Sequence, residues 1–316
     1  NLGAELFSVC GAGADGKGVI VNNSTGSQNS AFGKITLTGN ATFGGTADWR
    51  LRNNTPTLNL NDFILTKAGA NMIDLYGATV IPGSGHVNVA EGIFRILYDV
   101  DMGGSGSNTI TVQSGAELNL YRVANPQGWK MIMENGSTFE AGSSDDALQN
   151  RWAGPVVLNG TVSLTGISPY IADIQGLISG VGSITKSGGS LITLSGTDNT
   201  YTGATRITAG RLIVKSLRKV GEPCSLGQPT TAAAGAIVIG TGTTTGSSLE
   251  YIGAGDTTDR VITMGGTTGG VTIYHNGTGP LKFTRDLDAA AAGAKNLVFR
   301  GDSKASGEFA GNIADV

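Results

Sequence analysis

The sequence predicts an all-β repeat protein, a solenoid of short strands and tight turns, and three observations carry that prediction. The stretch Gly182–Val214, GSITKSGGSLITLSGTDNTYTGATRITAGRLIV, holds two short apolar strands, Leu191–Leu194 and Ile207–Val214, separated by Gly, Asn, Asp, Ser and Thr residues that favour turns. Glycines at 188, 189, 196, 203 and 210 interrupt it every few residues, which excludes a helix. The stretch also occurs earlier in the chain: TKAGANMIDLYG, Thr66–Gly77, aligns without a gap on TKSGGSLITLSG, Thr185–Gly196. Self-similarity at a fixed period marks a repeat architecture. Finally, 51 glycines with only 14% charged and 6% aromatic residues point to a turn-dense β rod rather than an average globular domain.

Taken in order, the chain opens with ELFSV, GAGADGKG and VIVNNSTGS, read as N-terminal rungs or a cap over residues 1–33. Gly11, Gly16 and Lys17 have the spacing of a phosphate-binding loop, but Gly18 stands where a metal-binding Ser or Thr is needed. A strand rather than a helix follows, so the segment reads as a turn. From Lys34, Ile35, Leu37, Ala41 and Phe43 alternate with polar residues in ITLTGNATF, the two-residue period of a strand with one buried face. Its counterpart is VVLNGTVSL at Val156–Leu164. VNVAEGIFRI, Val87–Ile96, aligns on TRITAGRLIV, Thr205–Val214, at an offset one residue shorter than the preceding match, which places length variation in turns. TITVQSGAELNL, with Ile110, Val112, Leu118 and Leu120, corresponds to AIVIG from Ala236 and SSLEYIG from Ser247. NPQGWKMIMENGSTFEAG matches TTDRVITMGGTTGGVTI in pattern. One continuous solenoid is therefore expected, with internal units over 34–154 and 155–295 and the start of a third over 296–316. Seven of the 8 prolines sit beside turn residues, as ladder-forming strands require.

TKSGG, LSGTDNTYTGAT and ITAGRLIV resemble the autotransporter-associated β-strand repeat of passenger regions of bacterial type V secreted proteins, and of large surface proteins of related design. GAGADGKGVIVNNS, ITLTGNATFGGTADWRLR and GAGDTTDRVITMGGTTGGVTI are similar to segments that accompany that repeat, so the resemblance covers most of the chain. It implies a right-handed parallel β-helix, exported and displayed outside the cell, with no family-wide catalytic residue to carry over. At roughly 20 to 25 residues per rung, about 13 to 15 rungs are expected, in a rod about 65 to 70 Å long.

The charge balance, 21 basic against 24 acidic residues, and the lack of a basic cluster argue against nucleic acid as a partner. No apolar run approaches the length of about 20 residues that a membrane helix needs, so no membrane insertion is expected within this segment. With no basic-then-apolar leader at Asn1, either a signal segment has been removed or this is an excised piece, and the ending GNIADV, where another strand set should begin, favours a fragment of a longer protein. Cys10 and Cys224 fall on the order of 40 Å apart on a solenoid and are expected to be free within one chain, which leaves a bridge between molecules open.

No catalytic residue, cofactor site or metal site is expected. Some β-helices are polysaccharide lyases or glycoside hydrolases, and the acid pairs Asp145 with Asp146, Asp256 with Asp259 and Asp286 with Asp288 are the candidates for such chemistry. Each lies in or beside a turn, where Asp caps its own backbone. The two histidines, His86 and His275, make no pair at ligand spacing, and no G-x-S-x-G elbow is present. For contacts with carbohydrate or a partner the candidates are Trp49, Trp129, Trp152, Tyr121 and Tyr170, large side chains in or near polar loops, against the alternative that they cover rung ends or stack inside the solenoid. The function expected is a structural extracellular stalk serving adhesion or display. Its partners would be further repeats or other copies end to end, assembling into a filament, and surface polysaccharide. The alternative is a polysaccharide-binding or polysaccharide-cleaving β-helix.

Overall fold

The computed structural model describes residues 5–53, 55–144, 150–243 and 246–313. Parallel strands stack into a β-solenoid of about 12 turns with almost no helix, rather than the 13 to 15 rungs expected. By contact the chain forms two compact units, Asn1–Val157 and Leu158–Val316.

In the first unit, one ladder runs from the Ala41–Phe43 part of strand Lys34–Gly45 through Ile64–Lys67, His86–Val89, Thr109–Val112 and Lys130–Met133. A second runs through Trp49–Leu51, Met72–Tyr76, Ile93–Leu97, Glu117–Tyr121 and Thr138–Ser143. A third, short ladder joins the start of Lys34–Gly45 to Thr57–Asn59 and Thr79–Ile81. Because register is kept from rung to rung, like side chains stack: Leu65, Val87, Ile110 and Met131 form one interior column, and Ile73, Phe94, Leu118 and Phe139 another. Each such buried side chain contributes about 2 kcal/mol relative to exposure.

The second unit repeats the plan. One ladder passes through Val162–Gly166, Ile184–Lys186, Thr205–Ile207, Ile237–Gly242 and Ile262–Gly266. Another passes through Ile171–Ile174, Leu191–Leu194, Gly210–Val214, Ser247–Tyr251, Gly269–His275 and Lys295–Arg300. A third holds Asp256–Thr258, Leu281–Phe283 and Gly307–Phe309.

The shortfall in turns has a local cause. Side-chain hydrogen bonds between neighbouring rungs elsewhere mostly link residues 21 to 27 apart, as in Arg95 to Asp74 and Val123 to Asn150, whereas Ser247 Oγ reaches Thr208 O across 39 residues. That long turn carries an excursion over 215–236 containing a helical turn, Ala232–Gly235, capped by Thr231 Oγ1. The excursion is packed rather than loose. Arg260, 2% exposed, donates from Nε to Arg218 O (3.0 Å), from Nη1 to Leu226 O (3.3 Å) and from Nη2 to Gly227 O (2.9 Å), with Cys224 Sγ also 3.3 Å away. Cys224 is thus sealed in the interior while Cys10 is exposed, and both are free, so a bridge to another molecule is restricted to Cys10.

The repeated TK-x-G sequence has the same physical role in both units. Lys67 and Lys186 end interior strand positions and are fully buried. Lys67 Nζ donates to Ala68 O (3.0 Å), Gly69 O (2.7 Å) and, on the next rung, Glu91 O (2.9 Å). Lys186 Nζ donates to Ser187 O (2.6 Å), Gly188 O (2.9 Å) and Ala209 O (3.2 Å). An ammonium has three donors, and each here finds a turn carbonyl that would otherwise be buried without a partner. The following rung must come close, which is why glycine stands at 92 and 210: both have positive φ, and a Cβ would lie 2.5 Å from Gly69 O in one case and 2.4 Å from Gly188 O in the other.

Candidate functional site

The outward positions of the second ladder in the first unit place a charged column on one sheet face. Arg50, Asp74, Arg95 and Asn119 are in register on consecutive strands. Asp74, with its side chain 1% exposed, is held between Arg50 and Arg95, whose Nη2 lies 2.7 Å from Asp74 Oδ2. Beside Asn119, Glu117 and Glu140 share a hydrogen bond. Burial, followed by that bond, pushes the Glu117 carboxyl up to about 7.

Along the edge of the same face, where each strand turns a corner, three tyrosines form a ladder. Tyr76 and Tyr98 have ring centroids 4.8 Å apart, and Tyr98 and Tyr121 6.3 Å apart. Arginines flank the rings: the Arg52 guanidinium lies 4.1 Å from the Tyr76 centroid, and those of Arg95 and Arg122 lie 5.2 and 5.9 Å from that of Tyr121. All three rings are half-buried and Arg52 is exposed. The backbone at this corner is left-handed on successive rungs, with φ of 55° at Gly77, 61° at Tyr98 and 53° at Arg122. The first is a glycine, for which that conformation is easy, but the next two are bulky side chains for which it is strained. An aromatic and guanidinium surface of this kind can stack on planar or apolar ring faces and donate hydrogen bonds at its rim.

The expected contact residues fall differently. Trp49, Trp129 and Trp152 are interior, at 2%, 0% and 0% exposure, so they are not available to stack on a ligand. They fill the space inside rung corners, where Trp49 Nε1 donates to Gly44 O (3.2 Å) and Trp129 Nε1 to Gly103 O (2.8 Å). Tyr170 is half-buried in the second unit, in a turn closed by Tyr170 N donating to Ile167 O. Of the five, only Tyr121 lies on the ladder. Tyr76, Tyr98, Arg52, Arg95 and Arg122 were not anticipated: Tyr76 and Tyr121 share a register position, but Leu97 stands at it on the rung between, and Tyr98 is offset by one residue.

The described acid pairs are engaged by backbone and hydroxyl donors, although Asp256 also borders a cavity with Lys282 and Glu308. Asp256 Oδ2 accepts from Leu217 N (3.0 Å) and the Tyr251 hydroxyl (2.9 Å), and Asp259 Oδ1 from Val220 N (2.8 Å), so both anchor the excursion. Asp286 Oδ1 accepts from Asn312 N and Asp288 Oδ2 from Thr263 Oγ1. Asp145 and Asp146 lie outside the described residues. His86 Nδ1 accepts from Thr109 N on the next rung. Among the described residues no group of three or more His, Cys, Asp or Glu side chains is placed to hold a metal ion. One cavity in the second unit, about 420 Å³, is lined by Phe283, Phe299 and Phe309 with His275, Arg300 and Glu308, and a neighbouring one of about 460 Å³ by Asp256, Lys282 and Glu308.

A parallel β-solenoid with a surface ladder and a repeating interior lysine is the class that fold and site define. Over residues 184–214 the chain matches the family model described as the passenger-associated-transport-repeat. It is 25% identical over 285 residues to the adhesin BmaC autotransporter of Brucella suis biovar 1 (strain 1330), an alignment that covers 81% of this chain and 8% of that protein. No solved structure matches. Residues 184–214 thus carry a match to the passenger-associated-transport-repeat, and the chain spans less than a tenth of the length of that relative.

Proposed function

We propose that the chain is a stretch of an exported, surface-displayed passenger in which the solenoid is a structural stalk presenting an adhesive surface, and not an enzyme. The observation that carries this reading is that groups able to do chemistry are engaged within the scaffold itself. Lys67, Lys186 and Arg260 hold backbone carbonyls, Asp74 bridges two arginines, and Asp256 and Asp259 hold turns. The name of the relative, an adhesin, and the family matched by the repeat support the same reading. End-to-end partners in this reading are further repeats of a longer chain or other copies, and surface polysaccharide is the lateral one. No helix among the described residues is long and apolar enough to cross a membrane, and the net charge of −3 offers no footprint for nucleic acid.

The test is made on intact cells expressing the natural protein with an epitope placed in the exposed turn near Ser105. External protease is expected to remove the epitope without lysis, and protection until the envelope is broken would overturn the reading. Electron microscopy of the purified chain reads assembly separately, fibres of constant width marking end-to-end joining of copies.

A further inference from the structure

We propose that the corner ladder of Tyr76, Tyr98 and Tyr121, with Arg52 at one end, is a binding surface for an acidic glycan, a polysaccharide whose sugar rings stack on the tyrosines and whose carboxylates meet Arg52. The inference deepens the display reading above, since it names what the displayed surface takes.

Backbone strain is the first support. The corner recurs on three rungs with the same left-handed φ, and at the first of them it is occupied by glycine. Tyr98 occupies the equivalent place at an energetic disadvantage, and a strained bulky residue on a surface is a pointer to function rather than to folding. What the strain achieves is visible in the geometry: the residue in register with Tyr76 and Tyr121 on the middle rung is the buried Leu97, and the left-handed turn at Tyr98 brings an aromatic ring between the two tyrosines instead.

Charge is the second support. Arg95 and Arg50 are already neutralised by Asp74. Arg52 is exposed, lies over the Tyr76 ring, and pairs with no carboxylate among the described residues. A guanidinium whose face is covered by a ring keeps its in-plane N–H donors for a ligand, and its fork matches a carboxylate in two hydrogen bonds. The far end of the ladder is less welcoming to anions, because exposed Asp99 follows Tyr98 and the Glu117 and Glu140 pair lies beyond Arg95. The acidic groups of the ligand are therefore expected towards Arg52. From Arg52 to Tyr121 the surface crosses three rung steps, about 14 Å, which suits an oligosaccharide stretch and not a single sugar.

Purified chain is tested for retention on immobilised polygalacturonate and alginate, with dextran as the neutral comparison. Wild type is expected to bind the polyuronates and not dextran. Tyr98→Gly is expected to weaken binding about tenfold or more, which corresponds to loss of one stacked ring. Its melting temperature is expected to be no lower than that of wild type, because glycine relieves the corner. Arg52→Gln, a surface change with no effect expected on folding, is expected to weaken polyuronate binding about fivefold or more and to remove much of its salt dependence. Tyr170→Ala, off the ladder, is expected to bind as wild type. No retention on either polyuronate, equal retention on dextran, or unchanged binding by both ladder variants would each overturn the proposal. None of these results touches the display reading, which is decided on intact cells.

Discussion

Glu117 illustrates how a single residue couples the surface to pH. Its carboxyl is pushed from the ordinary range near 4.5 up to about 7, first by burial and then by the hydrogen bond with Glu140. Between those two values the folded chain holds more protons than the unfolded one, so the stability contributed by the pair is complete below the lower value and is lost as pH rises through the upper one. The first unit is therefore expected to be more stable at pH 5 than at pH 8 by about 1 to 2 kcal/mol from this pair, discounted for the part of the group that faces solvent. Glu117→Gln should flatten that dependence. Thermal melts of both proteins across this range check it, and an equally steep pH dependence in the variant would refute the assignment. Little of this was legible in the sequence, because Glu117 and Glu140 become neighbours only through the register that puts Glu140 beside Asn119.

At the scale of the element, the strands were legible and the excursion was not. Two-residue alternation in ITLTGNATF and the matched strands around Thr66 and Thr185 specify which side chains face inward, and the structure keeps that register. The segment 215–236 has no such periodicity, and its order comes from contacts distant in sequence: Asp256, Asp259 and above all Arg260. A lone arginine in TTDRVITM gives no sign that it will be buried. The same limit explains the tryptophans, since polar neighbours in sequence do not reveal that a rung corner leaves room for an indole inside. Arg260→Met roughly keeps the side-chain volume but removes the guanidinium from the carbonyls of Arg218, Leu226 and Gly227, leaving Arg218 O with Thr258 Oγ1, Gly227 O with only the weak Cys224 thiol and Leu226 O without its side-chain donor. A loss of about 3 kcal/mol or more in urea denaturation is expected. Protease cleavage within 215–236 should appear at the same time, while a variant as stable and as resistant as wild type would show that the guanidinium does not hold the excursion.

At the scale of the whole molecule, repetition allowed the fold to be inferred, and repetition also dictates how it should come apart. Each rung bonds mainly to the rungs before and after it, so stability in such a stack is a sum of rung and neighbour terms rather than one global core. The interior lysines give a direct test, because the same device is present in each unit. Lys186→Met removes the ammonium that satisfies Ser187 O, Gly188 O and Ala209 O, a change expected to cost about 2 to 4 kcal/mol locally. In hydrogen exchange, faster exchange is expected in Ile184–Lys186, Leu191–Leu194, Thr205–Ile207 and Gly210–Val214, the strands that the TK-x-G turn joins or that pair with them. The strands around Lys67, from Ile64–Lys67 to Ile93–Leu97, should keep wild-type protection, and Lys67→Met should give the converse pattern. If either substitution instead accelerated exchange uniformly along the chain, the molecule would be unfolding as one cooperative body, and the rung-by-rung account of its stability would be wrong.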